Sequence, residues 1–120
     1  MKSMDKNAPS SDLKAYLVLN NQIFHLHENV TKIGRKLDNH FVIQDPLISR
    51  NHAEIVFRDD NFFIVDLDST GGTFLNNKKI SESKLFSGDI ILLANVPVLF
   101  VIDKKMVYSQ GDVDTGTLSE

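Results

Sequence analysis

Cysteine is absent from all 120 residues, so neither a disulfide framework nor a thiolate-bound metal is available, and the redox compartment goes unread. A basic surplus is missing too. Thirteen Lys and Arg against 16 Asp and Glu leave a formal charge of −3, with the basic residues scattered rather than massed. That speaks against nucleic acid or a membrane surface as the general partner, so any anion site must be local. No apolar run is long enough to span a bilayer, and residues 1–12 lack the apolar centre of a signal peptide, which points by default to the cytoplasm. No window shows a convincing helical period. What is present, 42% hydrophobic and 24% charged residues, is ordinary globular usage at a length that allows one core.

Short apolar runs separated by Gly, Asn, Asp and Ser make up most of the chain. Residues 1–12 have no periodicity and read as a flexible N-terminal tail. The texture changes at Leu13, where residues 15–19, Asn20-Asn21 and residues 23–27 predict a hairpin. Residues 30–33 are β-branched apart from Lys32 and end at Gly34, residues 41–43 form another short strand, and Asp45-Pro46 stops it. In residues 53–58, Ala53, Ile55 and Phe57 share one face while Glu54 and Arg58 take the other. A turn at Asp59-Asp60-Asn61 leads into residues 62–67, then a Gly71-Gly72 loop, a strand over 73–75 and a turn at Asn76-Asn77. Lys78-Lys79 reads as a hairpin tip, and Ile80 and Leu85 as core anchors in a loop-rich connection. Strands over 90–93 and 98–102 follow the Ser87-Gly88-Asp89 turn. Phe24, Phe57, Phe63, Phe74 and Phe100 are assigned to the core. The expectation is an all-β sandwich of two twisted, mostly antiparallel sheets with its loops at one end. It occupies 13–104 and is followed by a flexible acidic tail over 105–120.

The chemistry gathers in three loops. Ser49-Arg50-Asn51-His52 puts a hydroxyl, a guanidinium and an imidazole into four residues. Gly34-Arg35 adds a second guanidinium, and Ser69-Thr70-Gly71-Gly72-Thr73 adds hydroxyls and backbone donors. If the loops meet at one edge, they form an anion site. Other readings fare worse. Ser49 and His52 have no orienting carboxylate or oxyanion hole for nucleophilic catalysis. His25 and His27 lack a third metal ligand, and Gly71-Gly72 precedes neither a helix nor a Gly-Lys-Ser/Thr sequence, as a nucleotide loop would.

The ordered set Gly34-Arg35, Ser49-Arg50-Asn51-His52, then the run from Asp66 through Asn76, then Gly88-Asp89, resembles the forkhead-associated (FHA) domain. The likeness runs from about Lys14 to Asp103. The resemblance implies a β-sandwich that recognises phosphothreonine in partner proteins. Phosphothreonine carries about −1.5 to −2 charge and three strong acceptor oxygens, so it needs several converging donors. By the resemblance, Arg35 is the main phosphate contact, its planar fork holding two oxygens at once. Ser49 donates its hydroxyl, Arg50 is a secondary contact, and Thr70 lies against phosphate or peptide. His52, Gly34, Asp66, Gly72 and Asn76 support the loops.

One departure stands out. Where the family usually has Asn, this chain has Gly71, removing an amide that holds the bound peptide backbone. The loss is worth about 1 kcal/mol. Leu47, two residues before Ser49, implies an apolar preference at the third residue after the phosphothreonine. In the C-terminal tail, Thr115 is followed three residues later by Leu118 and preceded by Asp112 and Asp114, which makes phosphorylated Thr115 a candidate for self-recognition. The expected partner is a phosphothreonine protein, a Ser/Thr kinase or its substrate. No catalytic residue, cofactor or metal is expected. The alternative is a phospho-independent scaffold of the same fold that binds a folded protein.

Overall fold

A computed structural model describes residues 13–104, and within them every regular element is a strand. The expected tails, including Thr115, lie outside the described residues. The strands are β1 (Leu13–Leu19), β2 (Gln22–Leu26), β3 (Val30–Gly34), β4 (Phe41–Val42), β5 (Ala53–Arg58) and β6 (Asn61–Asp66). They continue as β7 (Thr73–Leu75), β8 (Lys78–Ile80), β9 (Glu82–Leu85), β10 (Ile90–Leu93) and β11 (Val96–Lys104). They form two sheets, a six-stranded one ordered β2-β1-β11-β10-β7-β8 and a five-stranded one ordered β4-β3-β5-β6-β9. Every described pairing is antiparallel except β3 with β4. This is the expected sandwich. No helix among the described residues is long and apolar enough to cross a membrane.

Alternation sets the core. Ala53, Ile55 and Phe57 of β5 turn inward and are at most 4% exposed, as are Leu17, Ile91, Val98 and Phe100 from the facing sheet. Aromatic contacts tie the layers together. Phe62 of β6 meets Phe100 of β11 edge-on at 5.4 Å, and Phe24 of β2 stacks on Phe41 of β4 at 4.8 Å.

Three expectations are corrected. Phe63 is not in the core: Phe62 takes that place, because the β5–β6 turn is the two-residue Asp59-Asp60, both at positive φ, and Asn61 already pairs with Arg58. With Phe57 opposite Phe62, Phe63 turns outward under the Arg58 guanidinium, 4.0 Å from its ring centroid. Lys78-Lys79 is not a tip; both residues lie in β8, and Asn76-Asn77, both at positive φ, make the turn. The connection carrying Ile80 and Leu85 is likewise not loop-rich. It is the strand pair β8 and β9, with Leu85 2% exposed.

Candidate functional site

The loops after β3, β4, β6 and β10 converge at one end of the sandwich around a cleft of about 890 Å³. Gly34 makes the first junction. A Cβ on it would lie 2.1 Å from the carbonyl oxygen of Arg50, so the β4–β5 loop packs on bare backbone. Close approach, rather than an unusual φ, is why glycine stands there. Beyond Gly34 the two segments keep pairing: the N–H of Arg35 donates to Ser49 O at 3.0 Å and that of Lys36 to Arg50 O at 3.2 Å. The Arg50 carbonyl also accepts from the side-chain amide of Asn39 at 2.8 Å, which bonds Lys36 O as well and is 7% exposed.

Arg35 is held by its own side chain. Its Nε donates to Ile48 O at 2.9 Å, which fixes the plane of the fork and leaves the Nη donors without a protein acceptor among the described residues. Ser49 is set from the other side: its Oγ accepts the Thr70 N–H at 3.0 Å. That bond uses a lone pair, so the hydroxyl hydrogen remains available for an anion.

His52 sits beneath both loops and is fully buried. Its Nδ1 accepts the Ser49 N–H at 3.0 Å and its Nε2 lies 2.9 Å from Gly72 O. A backbone N–H can only donate, so Nδ1 is bare, Nε2 carries the proton and donates it to Gly72 O. One ring thereby clamps the β4–β5 loop to the β6–β7 loop. Asp66 organises the second loop. One carboxylate oxygen accepts the hydroxyls of Ser69 at 2.5 Å and Thr73 at 2.7 Å, and the other accepts the Ser69 N–H at 3.2 Å. Partial burial pushes the Asp66 pKa up, but the Ser69 and Thr73 hydroxyls and the Ser69 N–H outweigh it and hold the carboxyl below its ordinary value. Ser69 Oγ in turn accepts the Gly72 N–H at 3.0 Å.

Gly71 has a steric cause. A Cβ there would lie 2.6 Å from the Cβ of Ala94 and 3.3 Å from Leu47 O. Ala94 is pinned at φ 57° in the β10–β11 turn, its N–H bonded to Gly72 O at 2.8 Å. The place of a side chain at 71 is taken by a neighbouring loop.

Of the residues singled out in the sequence, Arg35, Leu47, Ser49, Arg50, Thr70 and Gly71 line this one cleft. Gly34, His52, Asp66 and Gly72 brace it from behind. Asn76 stands apart: at φ 50°, it bonds Asp89 and the Ile90 N–H and so fixes the β7–β8 turn against β10, away from the cleft. Sequence reasoning missed Asn39, Phe74 and Ala94. Asn39 is one polar residue in a polar loop and gives no local signal. Phe74, assigned to the core, instead lines the cleft with Ala94. Two guanidiniums and no carboxylate line it, so the site is cationic on a chain of net charge −3.

A family model for the FHA domain matches residues 31–94, more than half of the chain. The glycogen accumulation regulator GarA of Mycobacterium tuberculosis is 30% identical over 94 residues, covering 78% of this chain and 56% of its own length. The chain thus spans little more than half of that relative. An FHA domain solved in a study of phosphothreonine-dependent FHA interactions superposes with a TM-score of 0.70 at 32% identity, over 73% of this chain and 95% of that one. Mycobacterium tuberculosis EmbR, solved with a low-affinity phosphopeptide, superposes with a TM-score of 0.74 at 30% identity, over 86% of this chain and 28% of that one. The sandwich, the cleft between its loops and these likenesses agree, and the chain belongs to the forkhead-associated domain family.

Proposed function

We propose that this chain is a phosphothreonine-dependent protein-interaction module that docks a kinase-phosphorylated partner through Arg35, Ser49, Arg50 and Thr70. The observation that carries the reading is the convergence of two guanidiniums and an oriented hydroxyl in a cleft lined by no carboxylate. Arg35 supplies the fork and Ser49 a third donor. Arg50 adds charge at the rim, and Thr70 offers its hydroxyl, its N–H being spent on Ser49. A dianion with three acceptor oxygens is matched in charge and in donor number. The EmbR structure with a phosphopeptide and the FHA domain from the study of phosphothreonine-dependent interactions support the same ligand class.

The reading is of a binder, not a catalyst. His52 Nδ1 accepts the backbone N–H of Ser49, not its hydroxyl, so the hydroxyl is not paired with a base in the way a nucleophile requires. Gly71 gives no side-chain amide to the peptide backbone, so the phosphate carries a larger share of the affinity. A cytoplasmic setting, where Ser/Thr kinases supply the ligand, belongs to the same proposal.

Calorimetric titration tests it, using matched peptides with phosphothreonine, phosphoserine or threonine at the fixed position. Binding confined to phosphothreonine and lost in Arg35→Ala is the expected result. Binding of a folded partner that ignores both phosphate and Arg35→Ala would favour the phospho-independent scaffold.

A further inference from the structure

Among the described residues, four strands lie at sheet edges: β2 and β8 in one sheet, β4 and β9 in the other. An edge presents unpaired N–H and C=O groups to any passing strand, and proteins blunt such edges by shortness or charge. Three of the four are blunted. β4 is two residues long, β8 begins with Lys78-Lys79, and β9 carries Lys84 and Glu82, the latter paired with Arg58 at 2.7 Å. β2 is the exception. Gln22-Ile23-Phe24-His25-Leu26 has five residues and no Lys, Arg, Asp, Glu or Pro, and it leaves Ile23 57% exposed.

The hairpin shows which groups are open. β1 and β2 are joined by the two-residue turn Asn20-Asn21, with Leu19 opposite Gln22 and Leu17 opposite Phe24. In such a hairpin the pair flanking the turn exchanges both hydrogen bonds, and bonded pairs then alternate. Gln22, Phe24 and Leu26 therefore bond to β1, while the backbone groups of Ile23 and His25 point to the open edge. Ile23 also ends an apolar row. Successive Cα partners run Ile23, Val18, Leu99, Ile90 across four strands on the outward face, with Ile90 40% exposed. The neighbouring row contains Tyr16 and Val101.

We propose that β2 pairs antiparallel with β2 of a second copy of this chain, about a two-fold axis at Ile23. Antiparallel pairing about a two-fold is self-complementary, each copy giving and receiving the same bonds. β2 contains no Lys, Arg, Asp or Glu, so the copies meet without the like-charge repulsion that Lys78-Lys79 or Glu82 would impose. The axis at Ile23 joins the two apolar rows into one, a match that a foreign strand has no reason to make. With the axis at Ile23 the two strands face each other over Gln22, Ile23 and Phe24, which buries far less than the roughly 800 Å² per partner of a standard stable interface, so the dimer is weak and concentration-dependent. Antiparallel pairing reverses the strand direction between the copies, so the two clefts open toward opposite ends of the pair. The dimer is a bivalent reader that gains avidity for a partner phosphorylated twice.

Analytical ultracentrifugation of the full chain from micromolar to millimolar concentration tests this, alongside Ile23→Lys. The wild type is expected to move from monomer toward dimer mass. Ile23→Lys should raise the dissociation constant more than tenfold while keeping its circular dichroism spectrum and its affinity for a single phosphopeptide. The cysteine-free background allows a second measurement: Ile23→Cys should form a disulfide-linked dimer on mild oxidation, and Lys79→Cys on the opposite edge should not. A wild type that stays monomeric at millimolar concentration overturns the proposal and leaves the edge to a strand of another protein. A dimer untouched by Ile23→Lys, or cross-linking as readily through residue 79, puts the contact elsewhere and overturns it as well.

Discussion

The Cβ of Ala94 stands 2.6 Å from where a Cβ of residue 71 would be, so Gly71 and Ala94 act as a packed pair across the β6–β7 and β10–β11 loops. Neither residue is interchangeable without the other.

Gly71→Asn alone is expected to destabilise the fold by about 1–3 kcal/mol through overpacking against Ala94. Gly71→Asn with Ala94→Gly should recover most of that loss, because Ala94 sits at φ 57°, where glycine is at ease. Urea unfolding of the two single variants and the double gives the coupling energy. Simple additivity would mean that the loops relax independently.

Arg35→Lys is expected to weaken phosphopeptide binding by about tenfold or more with little change in stability. Lysine keeps the charge but loses the planar fork and the Nε bond to Ile48 O. Calorimetry on a phosphothreonine peptide measures it. Unchanged affinity would reduce Arg35 to a point charge.

His52→Ala leaves the Ser49 N–H and one acceptor site of Gly72 O without their buried partner, and empties a fully buried site. A cost of about 3 kcal/mol in thermal or urea unfolding is expected. In the wild type, nitrogen NMR should show the proton on Nε2. A proton on Nδ1 would contradict the clamp.

The Asp66 carboxyl protonates at lower pH in the folded chain than its ordinary value of 3.8. On acidification the unfolded chain therefore takes up this proton first. The contribution of Asp66 is complete above about pH 5, declines as pH falls below 3.8, and is gone once the folded carboxyl is protonated. Asp66→Asn should flatten that part of the stability profile and, by turning an acceptor into a donor beside Ser69, cost about 1–2 kcal/mol at neutral pH. Denaturation midpoints from pH 7 down to pH 2 make the comparison.

Much of the architecture was legible in the linear order of residues, because a half-buried strand writes itself as alternation. Ala53, Ile55 and Phe57 could be assigned inward without coordinates. The loop chemistry was legible too, since guanidiniums and hydroxyls next to glycine declare an anion site wherever the loops meet. Counting failed where one residue changed the register. Reading the β5–β6 turn as three residues instead of two exchanged Phe62 for Phe63, because each slip by one reverses the face.

Tertiary structure decided what depends on the approach of segments distant in the chain. The need for glycine at 34 comes from the Arg50 carbonyl 2.1 Å from its absent Cβ, and the buried role of Asn39 from that same carbonyl. Glycine at 71 is set by Ala94, 23 residues further on. Composition and periodicity determined an all-β chain with guanidinium- and hydroxyl-bearing loops, since those properties are local. Which side chains reach the cleft, and which edge stays open, were settled only when the two sheets closed, since non-local contacts leave no trace in local order.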